Sequence, residues 1–207
     1  MTTILRIQSG GDLRGSATRL IGQAVIDGLK ARHPSAEISS RDLVVNPLPH
    51  IGPDFVRTMF ADNGASALSL SNQLIDELLA SDILVLESPM YNFTISSALK
   101  AWFDHVVRVR KTFRITETGV EGLLKGKKGL LVLGSGGVYS GGPFKPLDFQ
   151  EPYLRAMLGF IGMTDLESIR VEGLSMGPGA AAEGIAKART RVSQVLLART
   201  ATPQPPA

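Results

Sequence analysis

The chain has no cysteine. Disulfides, cysteine-based metal sites, thiol redox pairs and cysteine nucleophiles are therefore excluded. No apolar run approaches the roughly 20 residues that a membrane-spanning helix needs, so no membrane partner is expected. Neither sign of charge dominates: 22 Lys and Arg stand against 19 Asp and Glu, a net +3. So small an excess gives little support to nucleic acid as a partner and fits a local pocket for an anionic small molecule equally well. The three histidines, His33, His50 and His105, fall in no zinc-ligand spacing and read as surface or packing residues. The phosphate-binding pattern G-x-x-x-x-G-K-[ST] is missing. A dinucleotide fingerprint starting at Gly134 would need glycine where Tyr139 stands, and a nucleophile elbow centred on Ser135 would need it where Leu133 stands. With no clustered acid–base set, hydrolysis is disfavoured, and chemistry carried by a cofactor is the expectation.

What is present is a globular composition, 43% hydrophobic and 20% charged over 207 residues. That length argues for one domain, expected over residues 1–201, with a frayed Pro-rich tail at 202–207. The N-terminus, MTTILRIQSGGD, lacks the basic and long apolar regions of a signal peptide and reads as a first strand. Aliphatic or β-branched runs at 3–8, 36–42, 83–87, 129–134 and 166–171 read as strands. They alternate with stretches of helical period marked by Leu20–Leu29, Leu70–Leu79, Leu99–Val107, Leu154–Phe160 and Ile185–Leu196. Arg108 and Arg110 fall near the end of the third helix, where cations suit its dipole. Five strands interleaved with five helices predict a doubly wound parallel sheet. The Pro-, Gly- and Asn-rich stretch 46–64 reads as a loop excursion over the sheet.

In such a sheet ligands bind beyond the carboxyl ends of the strands, and three loops there are informative. The first, from Ser9 to Arg19, is rich in glycine and hydroxyls and runs into a helix starting near Ser16. Backbone N–H groups at a helix head form an anion site, while the same residues serve equally as an ordinary N-cap and turn. The second is Ser88-Pro89-Met90-Tyr91-Asn92-Phe93-Thr94. Its aromatics, thioether and amide suit a flat heteroaromatic ring, or a hydrophobic plug at the sheet end. The third, 134–143, holds five glycines and two serines and lets a backbone approach a ligand closely, as a plain surface loop would also do.

Residues 88–93, followed by Leu99-Lys100-Ala101-Trp102-Phe103-Asp104, resemble the signature of the FMN-dependent NADH-azoreductases, also described as NADH:quinone oxidoreductases. Thr112-Phe113-Arg114, residues 122–128, the glycine loop at 134–137, Leu158–Gly162 and Glu172-Gly173 match in the same order, and only the tail is left out. The resemblance implies a flavodoxin-like, doubly wound five-stranded parallel sheet flanked by helices, in a cytoplasmic homodimer. It implies FMN as cofactor, NADH or NADPH as hydride donor, and a quinone or aromatic azo compound as acceptor in a ping-pong exchange. Carried over by position, Ser16, Ala17 and Thr18 hold the FMN phosphate, with Ser9 or its neighbour Gly10 at the family's serine position. Pro89, Met90, Tyr91, Asn92 and Phe93 embrace the ring, and Gly134, Ser135, Gly136 and Gly137 meet its polar edge. Phe113, Ile115, Tyr139 and Phe160 line the substrate side, and no side chain acts as nucleophile. The chain departs from the family in having Ser135 where an arginine is usual, which bears on substrate choice. An exposed Phe113 and the apolar turn of the third helix are compatible with a dimer. A flavodoxin-like electron carrier without NAD(P)H oxidation is the alternative, and a carrier's usual strong acidity is absent here.

Overall fold

The two most aliphatic runs become the centre of a sheet, because only strands covered on both faces can be apolar at every position. The computed structural model describes residues 1–59 and 66–198. Within them the order is β1 (Thr3–Gln8), α1 (Ala17–Arg32), β2 (Glu37–Asp42), α2 (Pro53–Thr58), α3 (Ser69–Ala80), β3 (Ile83–Pro89), α4 (Ser97–Val106), β4 (Phe113–Thr116), β5 (Gly119–Gly122), β6 (Lys128–Gly134), α5 (Gln150–Phe160), β7 (Asp165–Val171) and α6 (Pro178–Ala198). Five strands form one parallel sheet in the order β2-β1-β3-β6-β7. The strand order reverses between β1 and β3, so their carboxyl ends flank the crevice in which such folds bind ligands.

Side chains alternate across the sheet into two cores. Leu5, Ile7, Leu84, Leu86, Leu131 and Leu133 face α3, α4 and α5, with Trp102 and Phe103 as the largest fully buried side chains. Ile4, Val85, Leu130, Val132, Ile169 and Val171 face α1 and α6. A charged side chain interrupts this alternation. Glu87, fully buried in β3, points at α1 and is held by Arg6 Nε at 2.6 Å. Gly22 of α1 makes the room, since a Cβ there would lie 1.9 Å from Glu87 Oε1.

The strands match the expected five to within two residues at each end. Two elements go beyond the expectation. A short helix, α2, lies inside the excursion expected at 46–64, of which residues 60–65 fall outside the described residues, as does the 202–207 tail. The antiparallel hairpin β4–β5 stands off the main sheet. Its base is pinned at Gly122, where a Cβ would come within 2.1 Å of Gly162 N. Arg108 does not serve the α4 dipole. It lies past the helix end and is buried, donating from Nη1 to Ser71 Oγ at 3.0 Å and Asn72 Oδ1 at 2.8 Å on α3. His105 is a packing residue as expected, edge-on to Phe55 and bonded through Nε2 to the Pro49 carbonyl.

Candidate functional site

The loop after β1 is shaped by its own side chains. Asp12 Oδ1 accepts from the N–H groups of Arg14 and Gly15, both at 2.9 Å, and these bonds hold its pKa below the usual aspartate range. Ser16 caps α1, its Oγ accepting from Arg19 N at 3.4 Å, and lies 2.9 Å from Thr18 Oγ1. The first N–H groups of a helix have no acceptor within it, so two hydroxyls and a helix head converge at one point. Gly10 closes over them, and a Cβ there would meet Ser16 Oγ at 2.9 Å. Arg19, at the end of this stretch, is committed to structure. It forms two bonds to Asp42, at 2.6 and 3.1 Å, and two to the Gly10 carbonyl. Burial pushes the Asp42 carboxyl up, but Arg19 and the N–H groups of Val44 and Val45 outweigh this and leave it below its ordinary value. Ser9, expected at the phosphate, is buried and donates from Oγ to the Glu87 carbonyl at 2.8 Å, so it ties β1 to β3 beneath the loop.

The loop after β3 is a two-residue hairpin. Tyr91 and Thr94 exchange both backbone bonds, and Asn92 and Phe93 between them have φ of 49° and 70°. This is a type I′ turn, which asparagine tolerates and which normally ends on glycine. A phenylalanine in that conformation costs on the order of 1 kcal/mol. It is kept there by Phe149 N, which donates to the Phe93 carbonyl at 3.0 Å, and by the ring of Tyr139, 6.2 Å away and edge-on. Tyr91 reaches back to the first loop, its hydroxyl accepting from Gly11 N at 3.1 Å. Met90 N donates to the Gly134 carbonyl, continuing the pairing of Pro89 with Gly134. Gln150, buried at the head of α5, donates from Nε2 to the Ser88 carbonyl and Oγ.

The glycine loop after β6 lies against the first loop, since a Cβ on Gly134 would come 2.5 Å from Thr18 Cγ2. Its carbonyls all turn one way. Those of Ser135, Gly136 and Gly137 accept from Leu174, Ser175 and Gly173 N, at 3.2, 2.9 and 3.1 Å. The peptides are trans, so the N–H groups of Gly136, Gly137 and Val138 point the opposite way. Ser135, with its hydroxyl donating to the Gly137 carbonyl, serves the loop itself. The segment 172–175 that organises this loop directly follows β7, a strand whose loop is not among the three that the sequence singled out.

Phe113 and Ile115 lie on β4, and Phe160 ends α5. Phe113 is half-buried rather than exposed, because its ring lies 4.7 Å from that of Phe160. Ile115 is 71% exposed and pairs across the hairpin with exposed Val120. Among the described residues no ring contact joins this patch to the cluster of Phe93, Tyr139 and Phe144.

A family profile described as a flavodoxin-like fold matches residues 2–196. The FMN-dependent NADH:quinone oxidoreductase 2 of Pseudomonas fluorescens strain Pf0-1 is 43% identical over 201 residues, covering 94% of this chain and all of that one. The chain belongs to this flavodoxin-like family of FMN-dependent NADH:quinone oxidoreductases. A second such enzyme, from Pseudomonas aeruginosa, is 45% identical over 95% of this chain and 93% of its own. Among solved structures, the azoreductase of Bacillus anthracis strain Sterne superposes with a TM-score of 0.86 at 28% identity, over 95% of this chain and 99% of that one. The donor set fits the family's cofactor. An anionic phosphate suits the helix head with its hydroxyl pair, and a planar ring with carbonyls on one edge suits an aromatic hairpin facing a row of N–H groups.

The strained turn yields a prediction. Phe93→Gly is expected to raise the stability of the flavin-free protein by about 1 kcal/mol through relief of the positive φ. The same change is expected to weaken FMN binding about tenfold through loss of an aromatic face. Urea unfolding and a fluorescence titration read the two separately. A loss of both would mean that the ring also holds the loop together.

Proposed function

We propose that this chain is an FMN-dependent oxidoreductase that takes a hydride from NADH or NADPH and reduces quinones and aromatic azo compounds, with residues 1–201 as its single domain. The observation that carries this is the convergence, at one strand-order switch, of the Ser16–Thr18 helix head with the Met90–Phe93 hairpin and the outward N–H groups of the glycine loop. The names of the relatives support the same reading.

When bound, FMN would supply the two-electron redox chemistry, and the residues around it would hold and orient its phosphate and ring. Ser16 and Thr18 donate hydroxyls to the phosphate, and the N–H groups of Ala17 and Thr18 add the helix-head charge. Met90, Tyr91, Asn92 and Phe93 hold the ring, with Pro89 setting their departure from β3. Gly136 and Gly137 donate to its polar edge, where a fixed N–H favours the charge that accumulates on reduction. Gly134 and Ser135 keep that loop in shape. Tyr139, Phe113, Ile115 and Phe160 shape the acceptor side. The exposed apolar face of the β4–β5 hairpin suits burial in a homodimer. No described helix is long and apolar enough to cross a membrane, and a cytoplasmic enzyme is part of the same proposal.

The test is the visible spectrum of FMN-loaded protein before and after anaerobic NADH, then NADPH. A yellow protein that bleaches with either donor is the expected result. One that bleaches with neither is a carrier, and one that takes up no FMN is outside this reading.

A further inference from the structure

Glu172 lies one residue past β7 and has no role in the reading above. Its side chain is only 15% exposed, although nothing in its sequence setting demands burial of a charge. The carboxylate takes three hydrogen bonds from two successive residues of the glycine loop. Oε1 accepts from Tyr139 N at 2.7 Å and Ser140 N at 2.8 Å, and Oε2 accepts from Ser140 Oγ at 2.5 Å. Bonds to an ionised acceptor are the strong kind. The backbone just after Glu172 takes the rest of the loop, through the bonds of Gly173, Leu174 and Ser175 to the carbonyls of 135–137. Glu172 itself is seated from behind by α6, where a Cβ on Gly184 would lie 2.2 Å from the Glu172 carbonyl oxygen.

The same carboxylate also connects the two sides of the ring site. Arg170 Nη1 lies 3.5 Å from Glu172 Oε1, and Arg170 Nη2 bonds Asp148 and Glu151 at 2.5 Å each. Asp148 Oδ1 in turn accepts from the N–H groups of Gln150 and Glu151 at the head of α5. Phe149, between Asp148 and Gln150, donates to the Phe93 carbonyl. One ion network thus spans from the Tyr139 side to the Phe93 side.

We infer that Glu172 is the positioning residue for the flavin's polar edge, its carboxylate setting the glycine loop with the N–H groups of Gly136, Gly137 and Val138 turned outward and Tyr139 beside Phe93. The inference rests on the flavin reading of the site. A loop with this many glycines has wide conformational freedom. Fixing it in advance removes an ordering cost from ligand binding, and a side-chain carboxylate does so without touching the ligand.

The experiment titrates FMN and riboflavin, by flavin fluorescence, into flavin-free wild-type protein and into Glu172→Ala, Glu172→Gln and Ser140→Ala, with thermal midpoints measured alongside. Glu172→Ala is expected to weaken both ligands by the same factor, about tenfold or more, leaving the ratio between them at its wild-type value. Glu172→Gln, which keeps an oxygen for the Tyr139 and Ser140 N–H groups, is expected to restore part of that loss. Ser140→Ala is expected to weaken both by about threefold. A merely structural role would lower the midpoint and leave the folded protein's Kd unchanged, which overturns the inference. A loss confined to FMN overturns it too, because it places the effect at the phosphate. If Glu172→Ala does not fold, wild-type Kd values in Glu172→Gln and Ser140→Ala overturn it. Wild-type protein that binds neither flavin defeats the flavin reading itself, and this inference with it.

Discussion

A double variant, Ser16→Ala with Thr18→Val, is expected to bind FMN about a hundredfold more weakly and riboflavin as tightly as the parent does. The two hydroxyls lie 2.9 Å apart at the head of α1. Each is in a position to donate to a phosphate, and a hydrogen bond to a charged group is worth about 1.5–3 kcal/mol. Riboflavin lacks the phosphate, so it reads the ring end alone. Valine preserves the methyl of Thr18 that packs against Gly134, so the neighbouring loop keeps its seat. Loss of the Ser16 cap costs about 1 kcal/mol of stability, visible in the thermal midpoint and separable from affinity. Fluorescence titration of both ligands checks the result. Equal losses for the two would point to collapse of the loop, and no loss for either would move the phosphate elsewhere.

Gly22→Ala is expected to destabilise the fold by about 3–5 kcal/mol, the range for breaking a buried ion pair from one side. The added methyl would lie 1.9 Å from Glu87 Oε1 and 2.2 Å from its Cδ. Glu87 must then leave Arg6, or α1 must step away from the sheet and open the core around Ile21 and Val25. Urea unfolding measures the loss. A value below about 0.5 kcal/mol, the level of an ordinary surface change, would mean that α1 shifts without strain. Burial raises the Glu87 pKa, with Arg6 acting against it. Stability tied to this carboxyl is therefore fully present below the ordinary glutamate value and is lost as the pH rises through its raised value in the fold. Glu87→Gln, neutral throughout, is expected to gain on the parent as the pH rises across that window.

How much of this was legible follows from the range of each signal. β3 and β6 are short aliphatic runs bounded by turn residues, and double burial is the arrangement that suits them. Ser16 is an N-cap set just before periodic apolar residues and caps α1 as the sequence suggests, and Ser96 caps α4 in the same way. The hairpin β4–β5 escaped because its strands have four residues each and meet at Glu117-Thr118, which carries none of the usual two-residue hairpin signals. α2 is a six-residue helix inside a stretch whose proline and glycine content says loop. Glu87 was visible as the end of a strand, but its partner Arg6 is 81 residues away, and no local pattern marks such a pair.

The sequence by itself determined the sheet, its order of elements and the three loops at its carboxyl edge. These rest on periodicity, capping and composition, which act over a few neighbouring residues. Only the tertiary structure decided which side chains in those loops are free to meet a ligand. Ser9 is turned under the loop by the Glu87 carbonyl, Arg19 is consumed by Asp42, and Phe93 is held at positive φ by Phe149. It likewise brought Glu172, 33 residues beyond Tyr139, within hydrogen-bond reach of the Tyr139 and Ser140 N–H groups. Hydrogen bonds and ion pairs between distant segments form only once the two cores have brought their strands together, and their partners are therefore written in the packing and not in any single stretch of chain.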